Sequence, residues 1–100
     1  MATPSYPLVQ VRAQVKILGR KAFSASALNA GRSELGLSSQ KMIDLILGCT
    51  DKDCFKSMPN NSIAGAMQDV YHLRTPSGKI AYVKFCLHQC SKVVVSFKER

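Results

Sequence analysis

The sequence predicts an α+β domain in which helices come first and an antiparallel β-meander follows. Three observations carry this. Ahead of Pro59, apolar residues recur at helical spacing; from Ala66 onward they alternate. Clusters of Gly, Pro and Ser fall between these periodic runs, where short helices and hairpins need their breaks. The length of 100 residues makes one domain, 1–100, with a single core.

Residues 1–6 read as a loose tail. Pro7 suits the first helical position, with Ser5 or Tyr6 near the cap. Leu8, Val11, Val15 and Leu18 then form an apolar stripe, and Gly19 can end the helix. Arg12, Lys16 and Arg20 make a basic row on another face. Residues 21–24 suit a short edge strand. Ser24 or Ser26 can cap a second helix running through Ala27 and Leu28 toward Leu35, with Gly36 beyond its end. Gly31 weakens that helix by about 1 kcal/mol relative to alanine. Ser38 or Ser39 starts a third helix carrying Met42, Ile43, Leu45, Ile46 and Leu47. It is apolar nearly all round, so it is expected to be the most buried. Thr50-Asp51-Lys52-Asp53 has the form of a capping box and opens one more turn, holding Phe55, Lys56 and Met58. Pro59 stops that turn, and residues 59–65 read as a loop.

Three strands follow, over 66–74, 79–88 and 92–98. Alternation places Met67, Tyr71, Ala81, Val83, Phe85, Val93, Val95 and Phe97 on one face, beneath the helices. The other face carries Gln68, Val70, His72, Arg74, Tyr82, Lys84, Cys86, Ser96 and Lys98. Asp69 falls on the apolar face without explanation. Directly opposed residues share a face, and a three-residue loop at 89–91 pairs His88 with Lys92, Lys84 with Ser96 and Tyr82 with Lys98.

Lys and Arg number 14 against 6 Asp and Glu, a net charge of +8. Such an excess favours polyanions or an acidic protein as partners. The longest aliphatic run, 93–95, is far too short to span a membrane, and the N-terminus lacks the apolar stretch of a secretory signal. The expected compartment is the cytoplasm, where Cys49, Cys54, Cys86 and Cys90 should be reduced thiols. Their spacing, even with His72 and His88 added, does not suit a zinc site, so no metal and no cofactor are expected.

The sequence shows neither a paired-carboxylate motif nor a Gly-rich phosphate loop. A face of lysine, tyrosine and glutamine can support RNA scission by internal transfer. That step needs a group to take the 2′ proton, cations around the phosphorus and an acid for the leaving oxygen. A non-catalytic basic module that binds RNA or the ribosome explains the charge equally well.

The segments Asp53-Cys54-Phe55-Lys56-Ser57-Met58, Gln68-Asp69-Val70-Tyr71, Tyr82-Val83-Lys84 and Val94-Val95-Ser96-Phe97-Lys98-Glu99-Arg100 resemble the MqsR toxins. So do Gln14-Val15-Lys16, Ala27-Leu28-Asn29-Ala30 and Glu34-Leu35-Gly36-Leu37. The resemblance spans nearly the whole chain in order. It implies a RelE-like fold and an mRNA interferase of a type II toxin–antitoxin system, cutting at short GC-containing sites such as GCU. It also implies an MqsA-like antitoxin with a zinc-binding domain and a helix-turn-helix domain; the toxin alone is not expected to bind DNA. The family's functional residues fall on Lys56, Gln68, Tyr82 and Lys98. Lys84, Arg74, Arg12 and Lys16 are expected to hold backbone phosphates. Phe55 stands where the family carries tyrosine, and Met67 where it carries tryptophan.

Overall fold

A computed structural model describes residues 4–59, 66–87 and 93–100. Three helices precede a four-stranded antiparallel sheet: α1 (Leu8–Leu18), α2 (Ala25–Leu35), α3 (Ser39–Gly48), then β1 (Cys54–Pro59), β2 (Met67–Arg74), β3 (Ile80–Leu87) and β4 (Val93–Glu99). Spatial order follows chain order, β1-β2-β3-β4. The α+β arrangement is the predicted one, with a fourth strand added.

The extra strand is β1. The turn at Asp51–Asp53 closes as a short 3₁₀ helix, with the Thr50 N–H donating to the Asp53 carboxylate at 2.9 Å. The predicted helical turn does not continue beyond it. The chain extends at Cys54 and pairs with β2, Lys56 opposite Val70 and Met58 opposite Gln68. Six residues are too few to favour a helix by themselves, and the sheet supplies a row of backbone partners. A bulge between Cys54 and Lys56 interrupts the ladder at Phe55.

In α1, Leu8, Val11 and Val15 are buried as the stripe requires, and Leu18 packs against the same core. The carbonyl of Pro7 accepts from the Gln10 and Val11 N–H groups. Residues 4–6 are held rather than loose. Asp69 is almost fully enclosed and accepts from the Ser5 N–H and the Tyr6 N–H, each at 2.8 Å. The Tyr6 hydroxyl donates to the Met67 carbonyl. A buried carboxylate on the apolar face is thereby hydrogen-bonded.

Gly19 ends α1 at φ +60°. Residues 21–24 form no strand. A 3₁₀ turn over Gly19–Ala22 leads to Phe23, which makes a single parallel bridge to Val95, and the Ser24 N–H donates to the Val95 carbonyl. The Ser24 hydroxyl accepts from the Ala27 N–H and caps α2. Gly36, at φ +66°, ends α2 with the Leu37 N–H reaching back to the Gly31 carbonyl at 2.9 Å.

Gly31 has a packing reason. A methyl group there would meet the Met42 sulfur at 2.4 Å, so its hydrogen lets α2 and α3 close. Helix α3 is not the most buried: only Met42 and Ile46 are fully enclosed, while Leu47 is exposed. Its predicted all-round apolarity exceeds what one packed face can cover.

The core lies between the helices and Tyr71, Leu73, Ala81, Val83, Phe85, Val95 and Phe97, all buried. Met67 is only half-buried, and the Val93 side chain, residues 60–65, where a loop is expected, and residues 88–92 lie outside the described part. Among the described residues no helix is long and apolar enough to cross a membrane.

Candidate active site

The face turned away from the core is ordered by strict cross-strand pairing. His72 of β2 stands opposite Tyr82 of β3, and Tyr82 opposite Lys98 of β4. The next row is Val70, Lys84 and Ser96, with Lys56 of β1 opposite Val70. The predicted pairs Tyr82–Lys98 and Lys84–Ser96 are therefore present.

Contacts follow the rows. The Lys98 Nζ lies 5.2 Å from the centre of the Tyr82 ring. The Tyr82 and His72 rings are 5.6 Å apart and tilted by 43°. The next contact is a stack: His72 and Phe55 lie 4.3 Å apart at 19°. Lys56 ends the series, its Nζ 5.7 Å from the Phe55 ring centre. Three aromatic rings thus run across all of the sheet's width between two ammonium groups. Cations near ring faces are attracted by the ring quadrupole. Phe55 enters this line because the β1 bulge re-aims the chain there.

The face is not uniformly open. Val70 is fully enclosed, and Cys86 and Gln68 are nearly so. Of the expected functional residues, Lys56 and Lys98 are exposed, Tyr82 and Lys84 are half-buried and Gln68 is buried on β2. Arg74 is exposed at the end of β2, paired with Ile80. Arg12 and Lys16 are not brought to this face. Arg12 lines a separate cavity of about 620 Å³ with Tyr6, Thr50 and Asp51, and Lys16 is exposed on α1.

Alternation puts His72 on this face but assigns it no role, and the capping-box pattern puts Phe55 in a helical turn away from it. The His72 Nε2 is buried and has no hydrogen-bond partner among the described residues. Burial, then the positive charges of Arg100 and Lys56, hold its imidazolium below the usual histidine range. The ring at the centre of the face therefore favours its neutral form.

A groove of about 490 Å³ adjoins this row. Its sheet wall is Tyr82, Lys84, Ser96 and Lys98; its other wall is α2, through Ser26, Asn29 and Ser33. α2 is fixed along β4 at both ends, by Ser24 on Val95 and by the Glu34 carboxylate, which accepts from the Glu99 N–H at 2.9 Å.

Cys49 and Cys54 are buried free thiols, and Cys86 is buried. Burial pushes Cys49 up to about 11 despite the nearby Arg12 guanidinium. No cluster of three or more His, Cys, Asp or Glu suited to a metal occurs among the described residues. Cys90 lies outside them.

A lysine-bordered row of three aromatic rings beside a helix-walled groove defines a small basic α+β protein of the class whose charge favours polyanionic partners. Residues 3–99 match the family described as motility quorum-sensing regulator, toxin of MqsA. The chain is 34% identical over 98 residues to the mRNA interferase toxin MqsR of Escherichia coli (strain K12), covering 98% of this chain and 96% of that protein. The chain belongs to the MqsR toxin family.

Proposed function

We propose that this chain is an endoribonuclease toxin that cuts mRNA at short GC-containing, GCU-like sites. The reading rests on the direct opposition of Tyr82 and Lys98, with Lys98 Nζ against the Tyr82 ring and Lys56 at the far end of the same line. The relative's name supports the reaction class.

In this reading the ribose 2′ oxygen bonds to phosphorus as the bond to the 5′ oxygen breaks. The 2′ proton leaves to a side-chain nitrogen or water, and the departing oxygen receives a proton. The products carry a 2′,3′-cyclic phosphate and a 5′-hydroxyl. Lys98 stabilises the charge on the phosphoryl oxygens and handles protons, and Tyr82 positions or donates. Lys56, at the far border of the sheet, does the same work only once the RNA or its own flexible side chain brings the phosphate toward it. Gln68 hydrogen-bonds RNA, while Lys84 and Arg74 hold neighbouring phosphates. Arg12 and Lys16 would meet only RNA that extends beyond the groove. Side-chain cations do the work, so the step calls for no metal or other cofactor.

A cytoplasmic ribonuclease of this kind needs an inhibitor, and an MqsA-like antitoxin with zinc-binding and helix-turn-helix domains fills that role. The outer edge of β1 offers it a template for strand addition.

The test is incubation of the purified chain with a GCU-containing RNA and its DNA counterpart, with and without EDTA. Cleavage of RNA alone, unaffected by EDTA, is expected, because DNA lacks the 2′-hydroxyl. Loss of cleavage on chelation would refute the metal-free step. Binding without cleavage would favour a non-catalytic RNA module.

A further inference from the structure

We infer that the groove between α2 and the sheet is a nucleobase subsite, with Asn29 as its sequence-reading residue. The inference rests on the ribonuclease reading and assigns a place to the base beside the scissile phosphate.

The two walls differ in chemistry. The sheet wall carries the ammonium groups, Lys84 and Lys98, together with the Tyr82 ring. The facing residues of α2, Ser26, Asn29 and Ser33, are polar and uncharged. Nucleic-acid sites divide labour in the same way: cations hold phosphates without regard to sequence, and neutral hydrogen-bonding groups read base edges. RNA bases in single strands are read on their exposed edges, which offer donors and acceptors side by side. A volume of about 490 Å³ falls in the range of sites that enclose a small ligand.

Elimination among the α2 groups points to Asn29. The Ser24 hydroxyl is engaged in capping α2, accepting from the Ala27 N–H. The Ser33 hydroxyl donates to the Asn29 carbonyl at 2.8 Å, which leaves Ser33 only as an acceptor. Ser26 carries a single rotating hydroxyl. The Asn29 side-chain amide is exposed and presents both a donor and an acceptor in one plane. Glu34 closes one end of the groove with a carboxylate already bound to the Glu99 N–H. A phosphate is unwelcome at that end, which leaves Lys98 and Lys84 as its partners.

The experiment uses a random-sequence RNA pool cut by wild type, Asn29→Ala and Asn29→Asp, with every cleavage site sequenced and kcat/KM measured at the preferred site and at a poor one. Asn29→Ala should lower the ratio of preferred to poor cleavage about tenfold, the effect of losing one good base contact. Asn29→Asp keeps the acceptors and loses the donor, so it should change which base is preferred at one position. If wild type cuts RNA and both variants keep its site profile within twofold, the subsite assignment is wrong and the ribonuclease reading stands. A uniform loss at all sites would make Asn29 a structural or phosphate-side residue and likewise overturn it. If wild type cuts no RNA, the ribonuclease reading fails and the subsite falls with it.

Discussion

The carboxylate of Asp69 accepts a hydrogen bond from the backbone N–H of Tyr6 at 2.8 Å, across 63 positions of sequence. Its other oxygen takes the Ser5 N–H. One buried side chain in β2 thus ties down the segment that leads into α1. Asp69→Ala leaves those two N–H groups without acceptors and should destabilise the fold by about 3 kcal/mol. Asp69→Asn keeps one acceptor and should lose less. Urea unfolding measures both, and an alanine variant as stable as wild type would show that the N-terminal anchor is dispensable.

Lys98→Ala and Tyr82→Phe should each slow RNA cleavage by about 100-fold or more. Both side chains stand on the face turned away from the core, so thermal midpoints should stay within a few degrees of wild type. Phe85→Ala, in contrast, opens the fully enclosed core and should cost roughly 3–5 kcal/mol. Parallel rate and melting measurements separate the two kinds of damage; unfolding of the face variants would show that their rate loss reports structure.

His72 predicts a pH dependence with a definite sign. Its folded pKa lies below the 6.5 of the unfolded chain. On acidification the unfolded state therefore takes up the proton first, and stability falls as pH drops through 6.5 toward the folded value. Above about pH 7 the ring is neutral in both states and contributes no slope. His72→Gln should remove this part of the slope, as read by denaturant midpoints from pH 7.5 to 5. An unchanged slope would assign the dependence to other groups.

For an acidic antitoxin, salt should slow association, because the +8 charge attracts it at long range. If docking occurs at the outer edge of β1, Lys98→Ala, on β4 at the opposite border, should bind with near-wild-type affinity. Lys56→Ala is less decisive, since Lys56 belongs to β1 itself. A loss above about 2 kcal/mol for Lys98→Ala in a titration would mean that the antitoxin fills the site directly.

The Tyr82–Lys98 pairing was legible because side-chain alternation and loop length together permit few registers. The α1 stripe was legible for a similar reason: a long amphipathic run has one buried face. The strand at Cys54–Pro59 was hidden by its shortness and by a capping box that reads as a helix start. Asp69 could not be explained locally, because its partners lie more than 60 positions away. The Phe55–His72 stack depends on a bulge, and the groove depends on how α2 lies along β4. Neither leaves a periodic trace. Burial of Val70 and Cys86 on the outer face also escaped alternation, which assigns faces and not depth.

The sheet's two borders are unequal. β4 is flanked by Phe23, Ser24 and the Glu34 carboxylate, while the outer side of β1 pairs with no strand among the described residues. Growth of a cross-β fibril needs a template on both sides of every added unit. Two copies of this fold that paired through their β1 edges would turn their flanked β4 borders outward. Edge-to-edge pairing of folded copies therefore tends toward a closed pair and away from an open-ended stack.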